Sequence, residues 1–378
     1  MNNKKILFLT GTRADFGKIK SLIKVCEESS AVEPYIFVTG MHMSKKYGYT
    51  LEEIVNSGFS NIFTFVNHEN TNHMDRTLAK TIDGLSLYIS DTAVDMIVVH
   101  GDRVESLAGA IVGSLNNILV MHIEGGEVSG TIDEMIRHSV SKLSHLHLVA
   151  SDDAKKRLIQ LGELNESIFV IGSPDLDLMF SDELPDLKDV KDHYDVSFSD
   201  YAIAMLHPVT TEIVNAQLHA QNFVDSLLSS NKNYIVIYPN NDLGSDTILS
   251  EYSRLANNPR FKVFPSIRFE YFLVFLKNSR FICGNSSAAV REAPYYGVPS
   301  INIGSRQSNR VRFESIFNTS NSKEEILCGI TEACDRVSAK EITFDAFGVG
   351  ESNKKFKALL DSEIFWSIQT QKFFQDMA

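Results

Sequence analysis

The chain has 378 residues, 43% apolar and 22% charged, the composition of a soluble globular protein too long for one ordinary core, so two domains are expected. A formal net charge of −12 argues against nucleic acid or an anionic membrane as partner, because both reward basic patches. A small anionic ligand needs only a locally positive pocket and stays open.

No apolar run approaches the ~18 residues needed to span a bilayer. The N-terminal run Ile6–Leu9, behind Lys4 and Lys5, is too short for a secretion signal. Cys26, Cys283, Cys328 and Cys334 lack CxxC spacing and are expected as buried free thiols, which points to the cytoplasm.

In chain order, short apolar runs occur at Ile6–Leu9, Tyr35–Val38, Met96–Val99, Ile118–Ile123, Leu146–Ala150 and Ile168–Ile171. They continue at Ile203–Leu206, Tyr234–Tyr238, Val263–Phe264, Phe281–Cys283 and Ile301–Ile303. Segments between them, such as Lys18–Glu27, Arg76–Val94, Glu105–Leu115 and Asp152–Leu161, carry apolar residues at helical spacing. Strands with little polar alternation, separated by helices, predict parallel sheets covered on both faces. The fold class is therefore α/β, in two doubly wound halves. The boundary falls after Gly172-Ser-Pro-Asp-Leu-Asp177, in the acidic, Pro-containing stretch Ser181–Asp200. The expected domains are residues 1–178 and 179–360, with 361–378 as a terminal helix packing back on the first.

In open α/β sheets, ligands sit beyond the carboxyl ends of the strands. In the first half those ends read Thr10-Gly-Thr-Arg-Ala-Asp15, Thr39-Gly-Met-His42, His100-Gly-Asp-Arg103 and His122-Ile-Glu-Gly-Gly-Glu127. In the second they read His207-Pro-Val-Thr-Thr-Glu212, Tyr238-Pro-Asn-Asn-Asp242, Pro265-Ser-Ile-Arg-Phe-Glu270 and Gly284-Asn-Ser-Ser287. Polar chemistry at the same edge of both halves predicts a cleft between two facing domains.

The densest of these stretches runs from His122 to His138. It crowds Glu124, Glu127, Asp133 and Glu134 with Arg137 around a glycine-rich turn. Like charges repel, and a chain tolerates that more readily where it does work; the plainer alternative is a polar loop whose Asp133 caps a helix. At Gly284-Asn-Ser-Ser287, the hydroxyls of Ser286 and Ser287 and free backbone N–H groups at a helix start suit a phosphate. Glu292, about two turns on, is placed to accept from ribose hydroxyls. A serine cap beside a solvated Glu292 is the alternative. Gly11-Thr-Arg-Ala-Asp-Phe-Gly-Lys18 is neither a P-loop nor the dinucleotide fingerprint. Its Arg13 either neutralises phosphate or pairs with Asp15. Asp102 beyond one strand and His207 beyond another form a candidate acid/base set. No zinc spacing, HExxH or GxSxG motif occurs.

Taken together and in order, these motifs, with Asp133-Glu-Met-Ile-Arg-His138, Gly172-Ser-Pro174, Arg291-Glu292 and Gly304-Ser-Arg-Gln307, resemble the hydrolysing UDP-N-acetylglucosamine 2-epimerases, most closely the sialic-acid-pathway branch. The resemblance spans residues 5 to 310. It implies a GT-B-like pair of Rossmann-like domains and the conversion of UDP-N-acetylglucosamine and water to N-acetylmannosamine and UDP through 2-acetamidoglucal. It carries catalytic roles onto Asp102, Glu124, Asp133 and His207. UDP or substrate binding falls to Arg13, Lys18, Arg103, Arg137, Gly172, Asn240, Arg268, Ser286, Ser287, Glu292 and Arg306. It implies no cofactor and no metal, and a homodimer or homotetramer. The same chemistry on UDP-2,4-diacetamido-2,4,6-trideoxyglucose and a non-catalytic UDP-sugar-binding protein are the alternatives. Met41 stands where the family's other branch has Gln beside a His, which argues against allosteric activation by a second substrate molecule.

Overall fold

The computed structural model describes residues 3–68, 73–310, 313–336, 346–373 and 375–376. The chain divides into two compact units. The first comprises Met1–Glu127, Asp133–Asp182 and Asp345–Ala378; the second comprises Val128–Ile132 and Glu183–Phe344.

The first unit is built on seven strands: β1 (Lys4–Thr10), β2 (Val32–Val38), β3 (Asn61–Thr64), β4 (Met96–His100), β5 (Leu119–Ile123), β6 (Leu146–Val149) and β7 (Ile168–Val170). All pairings are parallel, in the order β3-β2-β1-β4-β5-β6-β7. The second unit has β8 (Ala202–Met205), β9 (Tyr234–Ile237), β10 (Phe261–Phe264), β11 (Ile282–Gly284), β12 (Ser300–Ile303) and β13 (Ile316–Thr319). They too are all parallel, in the order β10-β9-β8-β11-β12-β13. In each sheet the strand order reverses beside the first strand, between β1 and β4 and between β8 and β11. A crevice opens at such a reversal, and there doubly wound sheets bind their ligands.

The expected apolar runs all coincide with strands. β3 and β13 have no counterpart among them. Both are outermost strands with half-buried and exposed positions, so neither needs the continuous apolar run that marks a strand buried on both faces.

The first helix, Arg13–Glu27, begins one turn earlier than its apolar spacing suggests. Thr12 accepts from the Asp15 N–H (3.2 Å) while the Asp15 carboxylate accepts from the Thr12 N–H (3.0 Å), a reciprocal cap that satisfies two end groups. Its buried stripe Phe16, Ile19, Leu22, Ile23 and Cys26 recurs at helical spacing against the first core. Helix Val104–Leu115 lies unusually close to the sheet. A Cβ at Gly109 would meet Val99 Cγ1 at 2.5 Å and one at Gly113 would meet Val120 Cγ2 at 2.3 Å.

The C-terminal region differs from expectation. The chain rejoins the first unit from residue 345 rather than 361. Helix Ser352–Leu360 buries Phe356 and Leu360 in the first core, and the Asp177 carboxylate caps its start by accepting from the N–H groups of Ser352 (2.7 Å) and Asn353 (2.9 Å). Beyond residue 360 the only helix among the described residues is the single turn Glu363–Trp366, which buries Phe365; the described residues after it are not helical. The first unit runs to Asp182 and the second takes up at Glu183, and Val128–Ile132 belong to the second unit. There the Gly130 N–H donates to the Arg306 carbonyl (3.1 Å) and Arg310 Nε donates to the Val128 carbonyl (3.0 Å).

Two of the four cysteines match the expectation of buried thiols. Cys26 and Cys283 are buried, which pushes both thiols well up from their ordinary value, whereas Cys328 is exposed and Cys334 half-buried. No helix among the described residues is long and apolar enough to cross a membrane.

Because Phe356 is fully buried between the first sheet and its helices, Phe356→Ala is expected to destabilise the first unit by about 3–5 kcal/mol. Urea denaturation checks this; an unchanged midpoint would mean the C-terminal helix is not part of that core.

Candidate active site

At the first sheet's order reversal, the segments leaving β1, β4, β5 and β7 bring a set of charged groups together. Glu124, the residue after β5, has φ +66°, a left-handed conformation uncommon for a side-chain-bearing residue. Strain of this kind costs about 1–3 kcal/mol and gathers at functional sites. Its carboxylate lies 3.2 Å from Lys18 Nζ and accepts from Ser173 Oγ at 3.4 Å. Lys18, on the second turn of the first helix, is itself buried and lies 3.9 Å from Asp175. His100 Nε2, at the end of β4, is 3.6 Å from the other Glu124 oxygen. Asp102, beyond β4, receives a hydrogen bond from the buried Arg137 guanidinium. Arg137 also donates to the Glu127 carbonyl (3.3 Å).

Arg137 comes from helix Ile132–Leu143, whose first turn carries Asp133. His122 ties this helix to the Asp102 loop. Its Nε2 faces the Gly101 carbonyl at 2.8 Å and its Nδ1 faces Ser141 Oγ at 3.0 Å. A carbonyl only accepts, so Nε2 carries the proton and Nδ1 accepts from the hydroxyl. Burial, against the pull of the Gly101 bond, lowers the His122 pKa to about 3, so the ring is neutral. Reaching across three elements, it holds Asp102 and Arg137 in register.

Several expected binding residues have ordinary partners of their own. Arg13 pairs with Glu53, and the Asp15 carboxylate accepts from the Gly11 and Thr12 N–H groups and the Thr10 hydroxyl. Arg103 lies 3.5 Å from Glu105. Gly172 has φ +90°, and the next residue, Ser173, donates its N–H to the Phe347 carbonyl (2.7 Å). His42 is fully buried, with Thr10 Oγ1 at 3.0 Å and Thr50 Oγ1 at 2.6 Å. Burial lowers its pKa to about 4 despite Asp15 nearby.

In the second unit, the reversal between β8 and β11 is organised by Asn285. Its Oδ1 accepts from the His207 N–H (2.6 Å), and its Nδ2 donates to the His207 carbonyl (2.9 Å). Its own carbonyl accepts from Arg306 Nη1 (3.2 Å) and Gln307 Nε2 (2.8 Å). Asn285 was visible in the Gly284-Asn-Ser-Ser motif, but nothing in the sequence marks it as the hub. Gly284 is required just before it. It has φ +140°, and a Cβ there would lie 1.8 Å from the Met205 carbonyl oxygen. His207 Nδ1 accepts from the Asn240 N–H (3.0 Å), so the neutral ring carries its proton on Nε2. Asn240 also donates to Asp242.

The phosphate-type helix start at Ser286 and Ser287 is shorter than expected. Ser286 caps a single 3-10 turn, Ser287–Ala289, by accepting from the Ala288 N–H (3.3 Å). Glu292 is buried at the start of the four-residue helix Glu292–Tyr295, so the alternative of a solvated carboxylate does not hold. Arg268 sits at the carboxyl side of β10, 3.3 Å from Glu270, with its guanidinium over the Tyr271 ring. His207, Asn240, Ser286, Ser287, Glu292 and Arg306 thus collect at the β8–β11 reversal and its neighbours, while Arg268 lies at the end of the outer strand. Sequence reasoning did not single out His100, Ser173 or Asp175. A histidine closing a buried strand and an aspartate after Gly172-Ser-Pro174 were the only signals.

Two parallel α/β units, each with its polar groups at the reversal of its sheet, place the chain in the GT-B-like fold class. The chain superimposes on the UDP-GlcNAc 2-epimerase of Methanocaldococcus jannaschii, crystallised with UDP-GlcNAc and UDP, with a TM-score of 0.80 at 21% identity, covering 94% of this chain and 99% of that one. The family model for UDP-N-acetylglucosamine 2-epimerase matches residues 24–361. The chain is 46% identical to the UDP-N-acetylglucosamine 2-epimerase of Neisseria meningitidis serogroup B over 99% of each chain. It is 33% identical to the UDP-N,N'-diacetylbacillosamine 2-epimerase (hydrolyzing) of Legionella pneumophila, over 94% of this chain and 95% of that protein. The chain belongs to the UDP-N-acetylglucosamine 2-epimerase family.

His42 and His122 carry a pH consequence. Both are held below the ordinary value of 6.5, at about 4 and about 3. The folded state thus disfavours their protonation, and their contribution to stability is complete above about pH 6.5 and lost as pH falls toward those values. Thermal unfolding is expected at a constant temperature from pH 7 to 8 and at steadily lower temperatures from about pH 6.5 downward. A His42→Gln variant, measured by circular dichroism, should show a shallower acid slope; an identical slope would remove His42 from the account.

Proposed function

We propose that the protein is a hydrolysing 2-epimerase that converts UDP-N-acetylglucosamine and water to N-acetylmannosamine and UDP, supplying sialic acid synthesis in the cytoplasm. The observation that carries this reading is the pair of carboxylates at the first reversal, Glu124 against Lys18 and Asp102 against Arg137. In the first step a carboxylate takes the carbon-2 proton, the C2–H electrons form the C1–C2 double bond, and the C1–O bond breaks as UDP departs. Water then delivers hydroxide to carbon 1 of 2-acetamidoglucal, and a proton reaches carbon 2 from the other face. Such chemistry needs proton carriers near the sugar and cations or N–H donors on the departing diphosphate. Asp102, Glu124, Asp133 and His207 are assigned the first task. Arg306, Ser286, Ser287 and Glu292 are assigned UDP, and the remaining cations Arg13, Lys18, Arg103, Arg137 and Arg268, with Gly172 and Asn240, complete the substrate contacts. A second reading, the same reaction on UDP-N,N'-diacetylbacillosamine, is favoured by the Legionella relative. We rank it second because the identity to the Neisseria enzyme is higher.

Proton NMR in deuterated water with UDP-N-acetylglucosamine tests this directly. Free N-acetylmannosamine deuterated at carbon 2, with UDP, is the expected result. Turnover of the diacetamido sugar nucleotide alone would establish the second reading, and inertness toward both would leave a UDP-sugar-binding protein.

Asp102→Asn, Glu124→Gln and Asp133→Asn are each expected to lower kcat by about 10²- to 10⁴-fold with UDP affinity retained. Wild-type turnover in any of them would remove that residue from the chemistry. Arg306→Ala should instead weaken UDP binding by about 10- to 100-fold, the worth of one charge-assisted hydrogen bond. Unchanged affinity by calorimetry would place the diphosphate elsewhere.

A further inference from the structure

Two buried groups at the first reversal have no role in the reaction as written so far. His100 is 7% exposed and Asp175 1%. Each keeps a polar atom, His100 Nε2 and Asp175 Oδ1, with no hydrogen-bond partner among the described residues. An unsatisfied buried polar atom costs about 1–3 kcal/mol, and such atoms in a native fold call for a reason. Here they occur at the two ends of one array. His100 Nε2 lies 3.6 Å from Glu124 Oε2, Lys18 Nζ lies 3.2 Å from Glu124 Oε1, and the same Nζ lies 3.9 Å from Asp175 Oδ2. Glu124 therefore stands between an imidazole and an ammonium, and the ammonium is shared with a second carboxylate. The left-handed backbone at Glu124 fixes the carboxylate in that place. Other charged or titratable groups around the array include the Asp102–Arg137 pair, His122, which is in electrostatic contact with His100, and Asp177, which is in electrostatic contact with Asp175.

We infer that His100 is a positioning residue that relieves Glu124 of the proton taken from substrate carbon 2, and that Asp175, acting through Lys18, sets how readily Glu124 accepts that proton. This rests on the epimerase reading above. When the C2–H bond breaks and UDP leaves, Glu124 becomes a carboxylic acid. Its O–H proton then passes to His100 Nε2, which becomes an imidazolium beside the regenerated carboxylate. Solvent takes that proton before the next turnover, matching the one proton released when hydrolysis yields UDP. Lys18 keeps the carboxylate form available, and Asp175 tempers Lys18 by sharing its charge. Without Asp175, more of the Lys18 charge bears on Glu124, and Glu124 becomes harder to protonate.

The test is kcat and KM against pH for wild type, His100→Gln, Asp175→Asn, Glu124→Gln and the His100→Gln/Glu124→Gln double variant, with carbon-2 deuterium incorporation followed by NMR. His100→Gln is expected to lower kcat by about 10²-fold with KM nearly unchanged. The double variant should be no slower than Glu124→Gln alone, because groups acting as one unit are not additive. Asp175→Asn should move the acidic limb of the kcat/KM profile to lower pH. A wild-type kcat in His100→Gln, or a double variant whose loss is the product of the single losses, overturns the role of His100. An unmoved acidic limb in Asp175→Asn overturns that of Asp175. His100→Asn is measured in parallel, so that a folding defect in one variant leaves the comparison intact. Failure of the epimerase reading itself shows separately, as wild-type protein that forms no N-acetylmannosamine.

Discussion

A parallel strand covered by helices on both faces leaves no solvent-facing side for a polar group, so polar residues either bring a partner into the sheet or wait for the strand to end. Both units obey this constraint, and the remaining architecture follows from it. β4, β5, β8 and β11 are almost wholly buried, and polar residues, charged in the first unit and neutral in the second, follow within two positions of their carboxyl ends. Two histidines within strands bring partners with them. His122 spans Gly101 and Ser141. His147 lies 3.1 Å from Glu163, which also receives hydrogen bonds from Lys142 (3.1 Å) and Lys372 (2.5 Å). Burial works against charge on Glu163, yet His147 and Lys372 hold its pKa down at about 2.

The two sheets put the same geometry to different chemical use. In the first unit the reversal between β1 and β4 is ionic: Glu124 and Asp175 share Lys18, and Asp102 faces Arg137. Asp102 and Glu124 each have a buried cation, and the stretch Val128–Ile132 leaves the cluster to join the second unit. In the second unit the reversal between β8 and β11 is a neutral network centred on one amide. Asn285 fixes the backbone of His207 on both sides and turns its carbonyl to Arg306 and Gln307. An ionic site suits proton movement, and a neutral scaffold that orients an arginine suits an anionic leaving group.

The terminal segment shows where local pattern and tertiary demand part. Residues after 360 read as aromatic and polar at mixed spacing, which suggests a helix of their own. The helix that closes the first core is the preceding one, Ser352–Leu360, because its Phe356 and Leu360 face one way and Asp177 waits to cap it. Asp177 lies 175 positions earlier in the chain than its cap partner Ser352, a pairing that no window of local sequence contains.

Sequence alone determined the fold class and the edge at which the polar groups gather, because strand burial writes itself as continuous apolar runs and the residues that follow those runs are read directly. It also placed Asp102, Glu124, Asp133 and His207 in motifs of high specificity. It could not show β3 and β13, whose half-buried edge positions need no apolar run, nor that Arg13 turns to Glu53. It gave no sign that His100 and Asp175 flank Glu124 and Lys18, or that Asn285 is the hub of the second site. Those facts were decided by tertiary structure, for one reason. They are contacts between segments tens to hundreds of residues apart, set by strand order and by the need to satisfy each buried polar atom, and neither is a property of any local stretch of chain.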